Sequence, residues 1–303
     1  MNLGNRMSWR GICPLVALWT GMAMGQSAAA PCANCLAWNR PQTPFRIFGN
    51  TYYVGPHGLS TILITSTSGH VLIDGALPES TEQIVANIRS LGFRIEDVKL
   101  ILNSHVHFDH AGGIAELQRL SGARVMASKW SAAVMRKGGV GRGDPQFGAL
   151  RPIAPLKNVS ELRDGESFQV GAIAVTAHLT PGHTPGGTSW TWKSCEARTC
   201  RDMVYADSLT PVSAAGFRFS KNREYPGALE DFEKAFVFLE AVPCDVLVTT
   251  HPENSDLWDR LQARDEGATP DPMVDSGACR RLALRGREQL RRRLADEAVP
   301  ERP

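Results

Sequence analysis

The 303-residue chain is predicted to be an α/β protein in which two β-sheets are sandwiched between helices. Short apolar runs of the kind that form buried strands alternate with segments of helical periodicity in both halves of the sequence. Hydrophobic residues make up 43% of the chain, which is enough to bury a full core. The formal net charge of +2 excludes a protein that works mainly as a basic nucleic-acid clamp or as an acidic tail.

The first thirty residues are predicted to be a secretory signal peptide, and residues 31–303 the mature domain. Arg6 and Arg10 precede an apolar stretch, and three alanines follow it, which is the order of an export signal. The apolar stretch is shorter than the roughly 20 residues that span a bilayer. An uncleaved membrane-proximal helix or a misplaced start is the alternative. Because the order of these features favours an export signal, we expect a periplasmic protein without stable membrane association.

The cysteines agree with export. One of the seven lies in the predicted signal, and an even number remains, which favours disulfides. A zinc ribbon would need two CxxC pairs, whereas the sequence has only Cys32 and Cys35 at that spacing. Six cysteines allow about fifteen connectivities, so spacing alone leaves the pattern open. The pairings that we expect are Cys195–Cys200, Cys244–Cys279 and, as the remaining pair, Cys32–Cys35.

Along the first half of the mature chain, strands are predicted at Phe45–Val54, Leu59–Thr65 and Val71–Ile73, separated by turns rich in Gly, Pro and Ser. Helical periodicity over Glu79–Leu91 precedes Val98–Asn103, a short apolar run that is typical of a buried strand.

A predicted helix at Ala111–Leu120 is followed by Gly138–Pro155, a segment rich in Gly and Pro. We expect this segment to be a long exposed loop of the kind that often lies over a site. The arginines of the predicted C-terminal helix Gly277–Leu294 are interpreted as a solvent-exposed face, with nucleic-acid contact as the alternative. The elements predicted after the loop are strands Phe168–Val170, Ile173–Thr180, Thr188–Trp192, Met203–Ala206 and Asp245–Thr250, and helices Pro226–Ala241 and Gly277–Leu294.

Five of the eight histidines fall into a pattern that indicates a metal site. His105 and His107 follow the buried strand two residues apart, so they project to the same side of an extended segment. Asp109 and His110 come next at the entry to a helix, where adjacent side chains point in different directions. One loop can therefore offer ligands to two neighbouring metal ions. Neutral imidazoles with one carboxylate are a ligand set that suits zinc.

His183 and His251 lie at similar junctions, where a predicted strand passes into a loop. The alternative is that such histidines only pack or cap, but the clustering of five favours metal binding. His57, His70 and His178 lack that context, and for them a structural role is favoured.

With its HxHxDH motif at the end of a strand, the sequence resembles the metallo-β-lactamase superfamily over essentially the whole mature chain. That resemblance implies an αββα sandwich, a fold shared by lactamases, glyoxalase-type thioesterases, lactonases and nucleases. Five further segments are similar to those of subclass B3 metallo-β-lactamases: Phe45–Val54, Gly69–Gly75, Pro181–Thr184, Ala206–Thr210 and Asp275–Cys279.

This resemblance implies a monomeric enzyme with two Zn²⁺ ions per chain that opens the β-lactam ring of penicillins, cephalosporins and carbapenems by attack of metal-bound hydroxide, and so confers antibiotic resistance. Asp109 would orient the hydroxide. Family members with a cysteine near Cys32 often pair it with one in the first hairpin turn, where this chain has His57, so Cys35 is the available partner. The implied ligands are His105, His107 and His183 for the first zinc and Asp109, His110 and His251 for the second; the implied substrate contacts are Ser208, Thr210 and Gln146.

Two other functions remain open. In a glyoxalase-type thioesterase or lactonase, Asp207 would bridge the two metals, although export and disulfides disfavour an intracellular thioester substrate. A non-catalytic zinc-binding protein is the second alternative, and six complete ligands with an open position disfavour it. Ser208 and Thr210 have an alternative role as caps of the turn before Pro211.

Overall fold

A computed structural model describes residues 1–4 and 32–299 of the protein. Most of the predicted signal peptide lies outside the described residues, so the division into a signal and a mature domain stays a prediction. Among the described residues, no helix combines the length and apolar character that a membrane span requires.

Seven strands form the first sheet in the order in which they occur along the chain. The first four pair antiparallel and the later ones parallel. Helices join the parallel strands across one face, as a parallel connection requires. The strands are β1 (Phe45–Phe48), β2 (Thr51–Tyr53), β3 (Ile62–Ile64), β4 (His70–Ile73), β5 (Val98–Leu102), β6 (Arg124–Ser128) and β7 (Val159–Leu162).

Five strands form the second sheet, in the order β12-β11-β10-β9-β8. Neighbours are antiparallel except for β11 and β12, which are parallel. The strands β9, β11 and β12 therefore run in the same direction and end at the same edge. The strands are β8 (Ser167–Val170), β9 (Ile173–Leu179), β10 (Thr188–Glu196), β11 (Thr199–Ala206) and β12 (Val246–Thr249).

Helices cover the outer face of each sheet. Helices α2, α4 and α5 pack on the first sheet, and α6 and α8 pack on the second. The helices are α1 (Cys35–Trp38), α2 (Thr81–Ser90), α3 (Phe108–Ala111), α4 (Ile114–Ser121), α5 (Lys129–Lys137), α6 (Ala228–Ala241), α7 (Leu257–Asp265) and α8 (Ala278–Ala298).

Alternation along the strands divides the apolar side chains among three layers. Within β3, Ile62 and Ile64 face the second sheet, whereas Leu63 between them faces the helices. In β11, Tyr205 faces the first sheet and Val204 packs under α6 and α8. The period of two in a strand gives this division, because successive side chains point to opposite faces. The layers are helix, sheet, sheet and helix, so the predicted αββα sandwich is confirmed.

The predicted strand Phe45–Val54 is two strands rather than one, because the chain turns at Gly49. Gly49 has φ +51°, and a Cβ at this position would lie 2.6 Å from the carbonyl oxygen of Cys195. Only glycine fits both the left-handed backbone and the close approach. Apolar residues on both sides of the turn hid it in the sequence.

Five elements were absent from the sequence prediction: α1, β6, α5, β7 and α7. Helix α7 buries only Leu257, so its apolar periodicity is weak. Strand β7 exposes Ser160 and Glu161 in its middle, and its place in the sheet depends on pairing with β6. The long loop, in contrast, has no helix or strand between Lys137 and Val159.

Three disulfides join the six cysteines outside the predicted signal: Cys32–Cys35, Cys195–Cys200 and Cys244–Cys279. The second links paired positions of β10 and β11, beside the turn that joins these two strands. The third ties the start of α8 to the segment that leads into β12.

The disulfide at the start of α8 should contribute more stability than the one in the hairpin. It closes a loop of 35 residues, whereas Cys195–Cys200 closes one of 5. Loop-closure entropy gives about 3.8 kcal/mol for the longer loop and about 2.1 kcal/mol for the shorter. We expect urea denaturation to show the larger loss of unfolding free energy for Cys244→Ser with Cys279→Ser than for Cys195→Ser with Cys200→Ser. Equal losses, or alkylation of Cys244 in the native protein, would contradict this expectation.

Candidate metal centre

The six predicted ligands come together at one edge of the two sheets. His105 and the residues that follow it begin three positions after the end of β5. His183 follows β9, and His251 follows β12. Because β9 and β12 run in the same direction, their carboxyl ends bring these two histidines to the same edge.

The ligand atoms form two adjacent groups, which are those implied above for the first and the second zinc. Within each group, the ligand atoms lie within 4.8 Å of one another. The rings of His105 and His110 connect the groups, with centroids 4.4 Å apart. In the second group, an oxygen of Asp109 lies 3.3 Å from Nε2 of His110 and 3.4 Å from Nε2 of His251. All but His251 are buried. The first group is His105, His107 and His183, and the second is Asp109, His110 and His251.

Most of the imidazoles are oriented by a hydrogen bond from one ring nitrogen, so the other nitrogen is the one that can bind a metal. The Nε2 atom of His105 is buried without a hydrogen-bond partner among the described residues. Imidazoles held in this way, with one nitrogen on a carboxylate or a carbonyl, are typical of zinc sites, so the residues fit zinc. The oriented nitrogens are Nδ1 of His105 on Asp207 (2.6 Å), Nε2 of His107 on Asp144 (3.1 Å), Nδ1 of His183 on the Thr210 carbonyl (2.8 Å) and Nδ1 of His251 on the Gly58 carbonyl (3.3 Å).

The imidazoles are surrounded by buried acidic side chains. Asp74, Asp109, Asp144 and Asp207 all have buried side chains, and no Lys or Arg of the described residues is buried. Burial raises the pKa of Asp74 and raises that of Asp207 well above its usual range. A buried carboxylate needs a compensating positive charge. Divalent cations on the imidazoles would supply it.

The ligands are held in the forms that bind metal. Burial lowers the pKa of His183 to about 3, and the nearby His107 acts in the same direction. Burial likewise lowers the pKa of His105 well below its usual value. Burial of Asp109 acts to raise its pKa, but His110 and His251 outweigh burial and hold the pKa well below the usual range. Neutral imidazole and ionised carboxylate are the ligand forms of these groups.

Asp74 anchors the loop that carries the metal motif. It follows β4, the strand beside β5, and it has the unusual φ of +61° for a residue with a side chain. Its Oδ1 accepts hydrogen bonds from the Ser104 backbone (2.7 Å) and from Nδ2 of Asn103 (3.2 Å). The Tyr205 hydroxyl donates to Oδ2 (2.8 Å). These bonds fix the backbone immediately before His105.

A cavity of about 330 Å³ opens over both ligand groups, and all three predicted substrate contacts line it. The hydroxyls of Ser208 and Thr210 bond to Thr250 (2.8 Å) and to the His183 ring (3.3 Å), rather than capping the turn before Pro211. The amide nitrogen of Gln146 lies 3.4 Å from ring nitrogens of both His107 and His183. The long loop therefore reaches the first ligand group.

The other three histidines lie outside both groups. His57 stacks on Trp258, with centroids 4.4 Å apart. His70 and His178 pack against Phe93 and Phe238. Their contacts are those of structural histidines.

The sequence did not identify the partners of the metal ligands. Asp207 was considered only as a bridging ligand, yet it bonds to His105 and belongs to neither ligand group. Asp144 and Asp74 were not singled out at all. A usable signal existed for Asp74, because it follows a strand that neighbours β5 and so reaches the same edge.

Comparison with known proteins places these features in a family. The sequence profile of the family described as "Metallo-beta-lactamase superfamily" matches residues 54–251. Rm3 metallo-beta-lactamase is 56% identical with a TM-score of 0.87, over 89% of this chain and 100% of that one. MEM-A1, a subclass B3 metallo-beta-lactamase from a soil metagenome library, is 52% identical with a TM-score of 0.84, over 86% of this chain and 98% of that one. A hydroxyacylglutathione hydrolase of Methylococcus capsulatus is 26% identical over 66% of this chain and 74% of that protein.

Purified protein should bind two zinc ions, because two groups of three ligands are present. His183→Ala removes one ligand of the first group, and we expect the loss of about one ion under mild chelation. His178→Ala is the matched control, since that histidine lies outside both groups, and it should retain both ions. Elemental analysis after dialysis measures the content. Equal zinc in the two variants would contradict the assignment.

The His183 ring should stay neutral in the metal-free protein at pH values where an ordinary histidine is charged. Its folded pKa is about 3, against about 6.5 in the unfolded chain. Between these values the unfolded chain binds more protons, so this histidine makes stability fall as the pH drops through that window. NMR titration of the metal-free protein, with the urea-unfolded chain as control, measures the midpoint. A folded midpoint near 6.5 would contradict burial as the cause.

Proposed function

The chain belongs to the metallo-β-lactamase superfamily, and from this membership we propose that it is a zinc-dependent hydrolase that opens the ring of β-lactam antibiotics, with penicillins, cephalosporins and carbapenems as substrates. Solved structures that align over nearly their whole length support this substrate class, because they are metallo-β-lactamases. We further propose two zinc ions per monomer and export to the periplasm, where the enzyme would confer antibiotic resistance.

The observation that carries the proposal is the arrangement of two neighbours after β11. Ser208 lines the cavity, whereas Asp207 points into the protein and bonds to Nδ1 of His105 at 2.6 Å. A glyoxalase-type enzyme would need Asp207 to present an oxygen to both ligand groups. With its carboxylate directed at His105, Asp207 lies outside both groups, which favours a lactamase over a thioesterase or lactonase.

The cavity suits the anionic part of a β-lactam, which carries a carboxylate beside the ring nitrogen. Ser208 and Thr210 are two residues apart, and both line the cavity next to the ligand groups. Each hydroxyl can donate a hydrogen bond to a carboxylate oxygen. We propose that the Gln146 amide, which lies 3.4 Å from ring nitrogens of both His107 and His183, donates a hydrogen bond to the lactam.

When bound, zinc would supply a water activated near neutral pH and a Lewis acid for the carbonyl oxygen. The chain's own contribution is to hold the ligands neutral, to orient them and to place the substrate. Asp109 lies between His110 and His251, and we propose that it orients the attacking water. Its low pKa keeps it an acceptor at neutral pH.

The test is hydrolysis of a penicillin, a cephalosporin and a carbapenem, followed by ultraviolet absorbance with and without a chelator. Ser208→Ala with Thr210→Val should raise KM and lower kcat/KM at least about tenfold, because each hydrogen bond to a charged group contributes roughly 1.5–3 kcal/mol. Zinc content should not change.

The matched control is Ser167→Ala with Thr176→Val, which removes a hydroxyl pair on the exposed far side of the second sheet. It should leave the kinetics unchanged. Two results together would favour the glyoxalase-type alternative. The first is wild-type kinetics in Ser208→Ala with Thr210→Val. The second is an Asp207→Ala variant that loses zinc and hydrolyses a glutathione thioester more slowly than wild type does.

A further inference from the structure

We propose that Asp144 is a positioning residue that couples the long loop to the first ligand group, because one buried carboxylate holds both the His107 ring and the Gln146 backbone. This inference rests on the metal centre of the proposed function. It does not depend on which substrate the enzyme hydrolyses.

The contacts of Asp144 join two parts of the site. Its side chain is fully buried, and its oxygens accept from Nε2 of His107 at 3.2 and 3.1 Å. Oδ1 also accepts from the backbone nitrogen of Gln146 at 2.8 Å. One side chain thus contacts a predicted ligand of the first zinc and the backbone of a predicted substrate contact.

The charge of Asp144 is compensated through His107. Among the described residues, His107 is the one basic side chain within ion-pair distance of this carboxylate. A buried carboxylate with no Lys or Arg partner is costly unless positive charge lies nearby. A cation on the other ring nitrogen of His107 would provide that charge, so Asp144 and the metal favour each other.

The middle of the loop has few other attachments to the fold. Asp144 and Phe147 make backbone bonds within the loop itself, to Gly141 and Asp144. Beyond the loop, the Pro145 carbonyl accepts from the Ala214 backbone at 2.9 Å. The bond from Asp144 to His107 is therefore one of the few contacts that set how far Gln146 lies from the ligands.

Two separate effects follow for the first ligand group. The carboxylate fixes Nε2 of His107 as the donor, which leaves Nδ1 with its lone pair toward the group, and it makes the ring a stronger ligand. The bond to the Gln146 backbone holds the loop. Asparagine at position 144 would keep an acceptor of the same shape without the charge, whereas alanine would remove both functions.

The experiment compares Asp144→Asn, Asp144→Ala and a control, Asp271→Asn. Asp271 accepts the same kind of backbone bond two residues ahead, from Met273 at 2.9 Å, and belongs to neither ligand group. Zinc affinity is measured by competition with a chromophoric chelator. Loop stability is measured as the rate of tryptic cleavage after Arg142, which is exposed within the loop.

We expect zinc affinity to fall about 10- to 100-fold in both Asp144 variants, since loss of such a partner typically has this effect. Cleavage after Arg142 should accelerate in Asp144→Ala and remain at the wild-type rate in Asp144→Asn. Asp271→Asn should match wild type in both measurements.

Wild-type zinc affinity in Asp144→Asn and Asp144→Ala would overturn the inference, as would an equal loss in Asp271→Asn. Absence of zinc from the wild-type protein would overturn it together with the proposed metal centre. If wild-type protein bound zinc but hydrolysed no β-lactam, the proposed substrate would be wrong, and the affinities of the variants would still decide the role of Asp144.

Discussion

Buried negative charge is the constraint on which the site depends. Four carboxylates and four of the five clustered imidazoles are buried at one edge of the sheets, and no Lys or Arg of the described chain is buried with them. Such a group is stable only if each polar atom has a partner and if cations compensate the charge. Three of these carboxylates are committed to orienting the loop or the ligands: Asp74 to Ser104, Asp144 to His107 and Asp207 to His105. The fourth, Asp109, is itself a member of the second ligand group.

The αββα architecture brings these groups together and leaves one side open. The carboxyl ends of β9, β11 and β12 share an edge with the end of β5, and the long loop covers part of it. Substrate choice then depends on a few residues at that edge rather than on the fold. In this chain the Asp207 carboxylate bonds to His105 inside the protein, whereas Ser208 lines the cavity. This arrangement favours the lactamase proposal over the thioesterase alternative.

Local pattern in the sequence was sufficient for two sheets between helices and for singling out five histidines and Asp109 as candidate metal ligands. Short apolar runs and the HxHxDH motif act over a few residues. The structure has strands at most of these runs and brings the histidines of the motif together with His183 and His251. The partners of the ligands depend on contacts that sequence spacing does not encode. Asp144 lies 37 residues from His107, and Asp207 lies 102 residues from His105. Apolar residues on both sides hid the turn at Gly49, and the contact that requires glycine there is with the distant Cys195.

The most direct test of the central claim is the unfolding free energy of the protein as a function of free zinc concentration, at fixed pH with the disulfides intact. If two zinc ions complete the buried site, stability should rise by about 1.4 kcal/mol per ion, or about 2.7 kcal/mol in total, for each tenfold increase in zinc above both dissociation constants. A stability that does not change with zinc would contradict the account.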